Sequence, residues 1–397
     1  MKEKKVLHLF NQYLPQTENW AYHLIRYTPA IRTLIAAKRY LRYNFYDSDF
    51  TFYFHPYGEL DRLYESWGSE GMMGRAKQAL YRAGKVLFGD MRKGLKTFIQ
   101  EQKVDVLHAH FADVAWYYHE LATKLELPLV ISFYGWDYEM LSRMRPEFRH
   151  HIPSLFQRAA AIICEGPYGA NLLAEKGCPK NKLHVVPLGV EVEQIPFFRR
   201  DKPQSALRLL QIASFTEKKG QLTTLMAVKA TLPTCPGLRL TFVGGANQPS
   251  YKEFIGKEVE RLGLAEVVEI LDHLDFAALH NFMRDYQVFI HPSRHAANGD
   301  CEGGAPIVLL DAQATGMPVI STKHCDIPSE VVDGQTGHLA NEQDHIALAG
   351  YIRIFYEMPQ ADYEKMARAA RQHVENEFDI KANAVKLGEV YAQLLEA

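Results

Sequence analysis

The chain has 397 residues, of which 47% are hydrophobic and 23% charged, and its formal net charge is −2. That length suits two domains of ordinary size, and the composition is that of a soluble globular protein. Nothing in the charge balance calls for nucleic acid or an acidic partner.

Five scattered cysteines, Cys164, Cys178, Cys235, Cys301 and Cys325, form no CxxC or His/Cys ladder, so reduced thiols are expected. The string His324-Cys325-Asp326 has the residue types of a metal cluster, but plain thiols are the preferred reading and no metal is expected. The apolar run after the charged N-terminus is too short for a signal peptide. No run approaches the ~20 residues that cross a bilayer. A cytoplasmic protein is expected, at most touching the inner membrane surface.

Val6–Phe10 reads as a first buried strand and Asn11–Glu18 as the loop at its carboxyl end, where α/β sheets bind ligands. GxGxxG is absent, so a dinucleotide cofactor is not expected. Residues 20–45 read as a helix and a strand. Asp47-Ser48-Asp49 is either a metal-binding string or a solvated turn, the turn being preferred. Residues 71–99 carry seven Lys and Arg against the single acid Asp90, with apolar positions between them. Such a segment either lies on an anionic membrane surface or packs as a solvated helical face.

Alternation then becomes plain. Val104–His110 is a strand, 114–125 a helix, and Pro128–Phe133 a strand ending in Tyr134-Gly135-Trp136-Asp137. His110 at a strand end either orients or deprotonates a hydroxyl, or is structural. Ala160–Cys164 is a strand, followed by a helix to Lys176; Leu183–Val190 leaves the first domain, and 191–206 is the linker.

The pattern restarts with a strand at Leu207–Ile212, the turn Ala213–Gly220, a helix from Gln221, and a strand at Leu238–Val243 ending in Gly244-Gly245. Val267–Leu271 leads to Asp272-His273, and Gln287–Ile290 to His291-Pro292-Ser293-Arg294. Next comes CEGGAPIVLLDAQATGMPVIST, from Cys301 to Thr322. Glu302-Gly303-Gly304 opens it, Pro306 suits a first helical position, and Gly316 and Pro318 stop the helix before a buried strand. A glycine turn feeding a helix offers unpaired N–H groups to an anion. Asp311, a turn and a half in, can reach a hydroxyl of the same ligand. Two helices from Tyr363 to Leu395 break near Phe378-Asp379.

The Cys301–Thr322 stretch resembles the donor-site motif of the retaining family-four glycosyltransferases, Glu302 and Asp311 matching its two acids. Its Glu-Gly-Gly-Ala-Pro loop is similar to that of the exopolysaccharide branch, including colanic acid type transferases. DVLHAH and FYGWD (105–110 and 133–137) resemble the family's DVVHAH and TFHGxD, and VVPLGV its hinge. This sequence departs in having Asp at 311, a longer loop, Ser214 in place of an Arg, and Tyr134 in place of a His. The resemblance implies a GT-B fold of two Rossmann-like α/β domains facing across a cleft. The N-terminal, acceptor-binding domain comprises 1–190 plus about 376–397; 207–375 binds the nucleotide sugar.

It further implies retaining transfer from a nucleotide-diphosphate sugar, without metal or other cofactor, to a glycan or lipid-linked acceptor. Lys219, Glu302 and His110 are the catalytic candidates. Ser214, Gly244, Asp272, Arg294, Gly303, Gly304, Ala305, Pro306, Ile307 and Asp311 are expected around the donor. Gln12, Tyr13, Glu18, Tyr134 and Asp137 are expected on the acceptor side. Lys219 would offset the leaving diphosphate, Asp311 would hold the ribose and Glu302 the transferred sugar. Two carboxylates could also suggest a glycosidase, but those flank one sugar ring from opposite faces. The alternative is a GT-B scaffold that binds nucleotide sugar without efficient turnover.

Overall fold

The computed structural model describes residues 3–15, 19–41, 45–46, 48–54, 76, 91–202, 205–245, 249–272 and 274–396. Its strands are β1 (Lys4–Tyr13), β2 (Ile31–Tyr40), β3 (Thr51–Tyr53), β4 (Val106–His110), β5 (Leu129–Phe133), β6 (Ala161–Cys164), β7 (Leu183–Val185), β8 (Leu207–Ile212), β9 (Leu238–Val243), β10 (Val268–Leu271), β11 (Val288–His291), β12 (Val319–Thr322) and β13 (Gly337–Ala340). They form two sheets, ordered β3-β2-β1-β4-β5-β6-β7 and β10-β9-β8-β11-β12-β13, and their pairings are parallel.

Parallel strands covered on both faces read as unbroken apolar runs, and β4, β5 and β6 are buried at every position. In each sheet the order reverses beside the first strand, which opens a crevice at the carboxyl ends. The two crevices face each other across a cleft.

β3 and β13 have no counterpart in the sequence reading, and two further strands differ from it in extent. β1 runs three residues further, to Tyr13, because Tyr13 is in register with Tyr40 of β2 and joins an aromatic cluster with Phe10, Tyr22 and Phe52. β7 stops at Val185; Pro187, two residues on, has no N–H for the ladder.

The final helix, Ile380–Glu396, crosses back to the first sheet. Its Ile380, Ala384, Leu387 and Tyr391 pack on Val6, Val106, Val130 and Ile163. Where the chain crosses between sheets, the Val190 and Ile380 N–H groups donate to Phe378 O and Val190 O at 3.1 Å each. Arg371 fastens this crossing to the helix Val308–Ala314, donating to Ile195 O at 2.7 Å and Ala314 O at 2.8 Å. Among the described residues no helix is long and apolar enough to cross a membrane. Of the basic segment 71–99, residues 71–75 and 77–90 lie outside the description, as do Asp47, Glu18 and His273.

Candidate active site

The centre of the site is built by two turns that meet. After β8 the chain makes a one-turn 3-10 helix, Glu217–Lys219, closed by Gly220 at φ +70. A side chain at Gly220 would be strained, and its Cβ would lie 2.0 Å from Pro292 O. The glycine therefore lets the turn lie against the end of β11. Gln211 locks it from beneath: its Nε2 donates to Lys219 O at 2.7 Å and its Oε1 accepts from Thr224 Oγ1 at 2.7 Å.

Lys219 is thereby carried to Glu302, Nζ to Oε2, at 2.7 Å. The other oxygen, Oε1, accepts from Ser293 Oγ at 2.8 Å, and Ser293 in turn contacts His291 Nδ1 at 2.9 Å. Since the serine hydrogen goes to the carboxylate, His291 supplies an Nδ1–H to Ser293. The Glu302 N–H donates to His324 Nε2 at 3.1 Å. Burial opposes the charge on Glu302, but Lys219 and then Lys218 outweigh it and hold the pKa down to about 2. Glu302 is an ionised, oriented acceptor at neutral pH.

Gly303, at φ +77, comes so close to Gly135 that a Cβ on it would lie 2.0 Å from the Gly135 Cα. The Glu302-Gly303-Gly304 loop thus touches the loop after β5 through bare backbone. Behind it, Asp326 bridges the halves: Oδ1 accepts from Tyr168 N at 2.8 Å, at the start of helix Pro167–Glu175, and its own N–H donates to Gly304 O at 3.2 Å. Ala305 lines a cavity of about 320 Å³ there with Glu165, Asp326 and Glu330. Among the described residues no lysine or arginine lines it, and burial pushes all three carboxyls up, Asp326 to about 6.

Pro306 and Ile307 form the turn that starts the helix, accepting from Leu309 N at 2.9 Å and from Asp311 N at 3.1 Å. Regular helix begins at Val308. Asp311 is buried and held by His280 Nε2 at 2.8 Å. With Ser214, Gly244 and Leu14 it lines a cavity of about 570 Å³ that spans the cleft. Of the other expected donor residues, 303–307 do not line it, and Asp272 and Arg294 also stand apart. Asp272 is 93% exposed and paired with Lys252, because β10 is the edge strand of its sheet. Arg294 is engaged by Glu217 at 2.7 Å.

On the opposite side, His110 is fully buried, its Nε2 3.0 Å from His8 Nδ1 and its Nδ1 2.8 Å from the Tyr134 hydroxyl. His108 lies between Tyr391 and Ser132 at 2.5 and 2.8 Å. His8, His108 and His110 could gather round an ion, but His108 and His110 have both ring nitrogens in use. Asp137 is buried and accepts from Ala112 N at 3.0 Å and Tyr134 N at 3.1 Å, so it organises two loops. Tyr13 faces the aromatic core and Gln12 is exposed at the end of β1. Leu14 and Phe111, at the ends of β1 and β4, have φ +58 and +79, strained for residues with side chains.

Sequence reasoning missed His280, Ser293 and Gln211, and singled out His324 only in a metal-type string, not beside Glu302. His291-Pro292-Ser293 carried a signal, being polar residues at a buried strand end. His280 carried none, since nothing local links it to Asp311.

Residues 193–373 match the family described as "Glycosyl transferases group 1", and residues 73–194 match "Glycosyltransferase Family 4". The chain is 30% identical over 299 residues to the amylovoran biosynthesis glycosyltransferase AmsK of Erwinia amylovora, covering 73% of this chain and 70% of that one. It is 28% identical over 304 residues to the putative colanic acid biosynthesis glycosyltransferase WcaL of Escherichia coli, covering 74% and 71%. A solved glycosyltransferase from Rickettsia africae superimposes over the full length of both chains with TM-score 0.74 at 16% identity. Anabaena Alr3699/HepE in complex with UDP superimposes over 98% of this chain and 100% of that one, with TM-score 0.72 at 16% identity. Two parallel-sheet domains, a shared cleft and this extent of similarity lead to one assignment: the chain is a GT-B glycosyltransferase belonging to the group 1 and family-four glycosyltransferases.

Proposed function

We propose that this protein transfers a sugar, with retention and without a metal, from a nucleotide-diphosphate sugar to a glycan or lipid-linked saccharide in exopolysaccharide synthesis. The observation that carries the reading is the Lys219–Glu302 pair where the two turns meet in the cleft. The biosynthetic roles named for AmsK and WcaL support the pathway class. Anabaena Alr3699/HepE, solved with UDP and with UDP-glucose, supports the donor class.

In this reading the donor nucleoside occupies the cavity lined by Ser214, Gly244 and Asp311, with Asp311, oriented by His280, on the ribose. The diphosphate meets Lys219 and the Gly303-Gly304 amides. As the bond from the anomeric carbon to the phosphate oxygen breaks, negative charge grows on that oxygen and Lys219 offsets it. Glu302, kept ionised, accepts hydrogen bonds from the transferred sugar. The acceptor oxygen bonds to the same face of the ring, and its proton passes to the leaving phosphate. His110 acts through Tyr134, whose hydroxyl is the group able to meet an acceptor.

Nucleoside diphosphate release from a panel of UDP-, GDP- and ADP-sugars, with a lipid-linked oligosaccharide acceptor, tests the proposal. Turnover with one donor class and an α- or β-linkage matching the donor anomer is expected. Tight donor binding without release would overturn it in favour of a binding scaffold, and an inverted linkage would overturn retention.

A further inference from the structure

Beside the Glu302-Gly303-Gly304 loop lies a set of side chains of which only His324 touches the transfer machinery, through the Glu302 N–H. One ligand atom from each of His295, His324 and Cys325 lies within 4.8 Å of the others. Asp326, next in sequence, is turned away to the helix Pro167–Glu175, so the folded cluster replaces it with His295 from the loop after β11. Glu342 organises the set: its Oε1 accepts from His324 Nδ1 at 2.6 Å and from His295 Nδ1 at 2.9 Å, and its Oε2 from His295 N at 2.8 Å.

A carboxylate can only accept, so both imidazoles carry their proton on Nδ1. His324 confirms the tautomer, because its Nε2 accepts the Glu302 N–H. A carboxylate behind the Nδ1–H of a histidine, with the Nε2 lone pair left over, is the usual support of a metal-ligating imidazole. Cys325 Sγ lies 3.3 Å from His324 Nε2. A tetrahedral ion about 2.0 Å from nitrogen and 2.3 Å from sulfur keeps such ligands roughly 3.5 Å apart. His324 is wholly buried, whereas the His295 side chain is 41% exposed, so an ion can enter from that side. Cys301 hydrogen-bonds to Cys325 but lies outside the set.

We propose that His295, His324 and Cys325 bind a thiophilic divalent cation of the zinc class, and that the bound ion inhibits transfer. Binding displaces the Cys325 thiol proton to solvent and forms a metal–thiolate bond. No electron is exchanged. Two neutral histidines and one thiolate select a borderline-soft ion over magnesium or calcium. The inhibition follows from one shared atom: His324 Nε2 cannot accept the Glu302 N–H and ligate an ion at once. Metal binding therefore releases the backbone that positions Glu302.

The test uses the full chain, reduced with a phosphine. Cobalt(II) titration is expected to give a saturable sulfur-to-cobalt charge-transfer band that zinc abolishes and that is missing from Cys325→Ser. Cys301→Ser should keep the band. Saturating zinc should slow wild-type transfer at least about tenfold, while Cys325→Ser and His295→Gln, with ordinary rates in its absence, resist it. No band, or a band surviving in Cys325→Ser, overturns the site. Equal zinc inhibition of wild type and both variants, or full activity with the site saturated, overturns the link to Glu302.

Discussion

At one strand end in each half of the cleft, titratable groups are buried equally deeply yet reach different charge states. At the ends of β1 and β4, His8, His108 and His110 are enclosed without a counter-ion. Burial lowers all three, His108 to about 3, so they stay neutral at physiological pH. At the end of β11, Glu302 is also enclosed, yet Lys219 and Lys218 keep it ionised. Burial alone removes charge; burial beside fixed cations preserves it. Under the proposed function, the difference would suit a second domain that handles a diphosphate and a first domain that handles neutral hydroxyls.

The strongest way to break the contrast is Lys219→Ala, which leaves Glu302 enclosed without its nearest cation. Transfer should fall by about 10²–10³, the usual effect of losing one group that stabilises developing charge. The acid limb of the pH–rate profile should move upward as Glu302 becomes easier to protonate. Circular dichroism should show the fold retained, and a wild-type rate would remove Lys219 from the mechanism.

Gly303→Ala tests whether the halves must touch. It forces a side chain into φ +77 and into the Gly135 backbone, so kcat/KM should drop by about tenfold to a hundredfold, the equivalent of ~1–3 kcal/mol of strain. Small-angle scattering should report a more open particle. Unchanged activity and shape would show that the contact is dispensable.

Asp326 extends the comparison to an acid between the halves with no cation beside it. Its folded pKa of about 6 lies above the ordinary 3.8. Its contribution to stability is therefore complete below about pH 4 and is lost as pH rises through 6. Asp326→Asn keeps an oxygen for Tyr168 N and cannot ionise, so at pH 7 it should be more stable than wild type by on the order of 2 kcal/mol. The two should converge below pH 4. Denaturant melts at pH 4 and 7 decide it, and a pH-independent difference would refute the assignment. Glu302 runs the other way, with its stabilising charge lost only as pH falls through about 2.

The mildest change should separate donor from acceptor effects. His280→Ala frees Asp311 and should raise the donor KM about fivefold to tenfold, the value of roughly one ordinary hydrogen bond, with little change in kcat. Tyr134→Phe should instead raise the acceptor KM alone. A donor effect from Tyr134→Phe would mean that the two sides are not separate.

Much of the fold was legible because buried parallel strands leave unbroken apolar runs, such as Leu129–Phe133 and Val288–His291, with polar residues at their carboxyl ends. The resemblance to the family-four motif pointed to Glu302 and Lys219 before their contact was visible. It failed where a side chain's direction depends on its neighbours. Tyr13 was expected in a cleft loop, but Tyr40 and Phe52 draw it into the core. Arg294 was a candidate phosphate ligand, and Glu217 holds it.

Alternating apolar runs, turn glycines and two acids flanking a glycine loop were enough to specify two wound sheets and the half that carries the charge. These are local properties, set by periodicity and by which residues tolerate positive φ. Which groups became neutral, which stayed charged and which histidines orient them was decided only when distant loops met. Lys219 and Glu302 are 83 positions apart, and His280 and Asp311 31. Electrostatic interaction depends on separation in space and on exclusion of water, and the order of residues along the chain records neither.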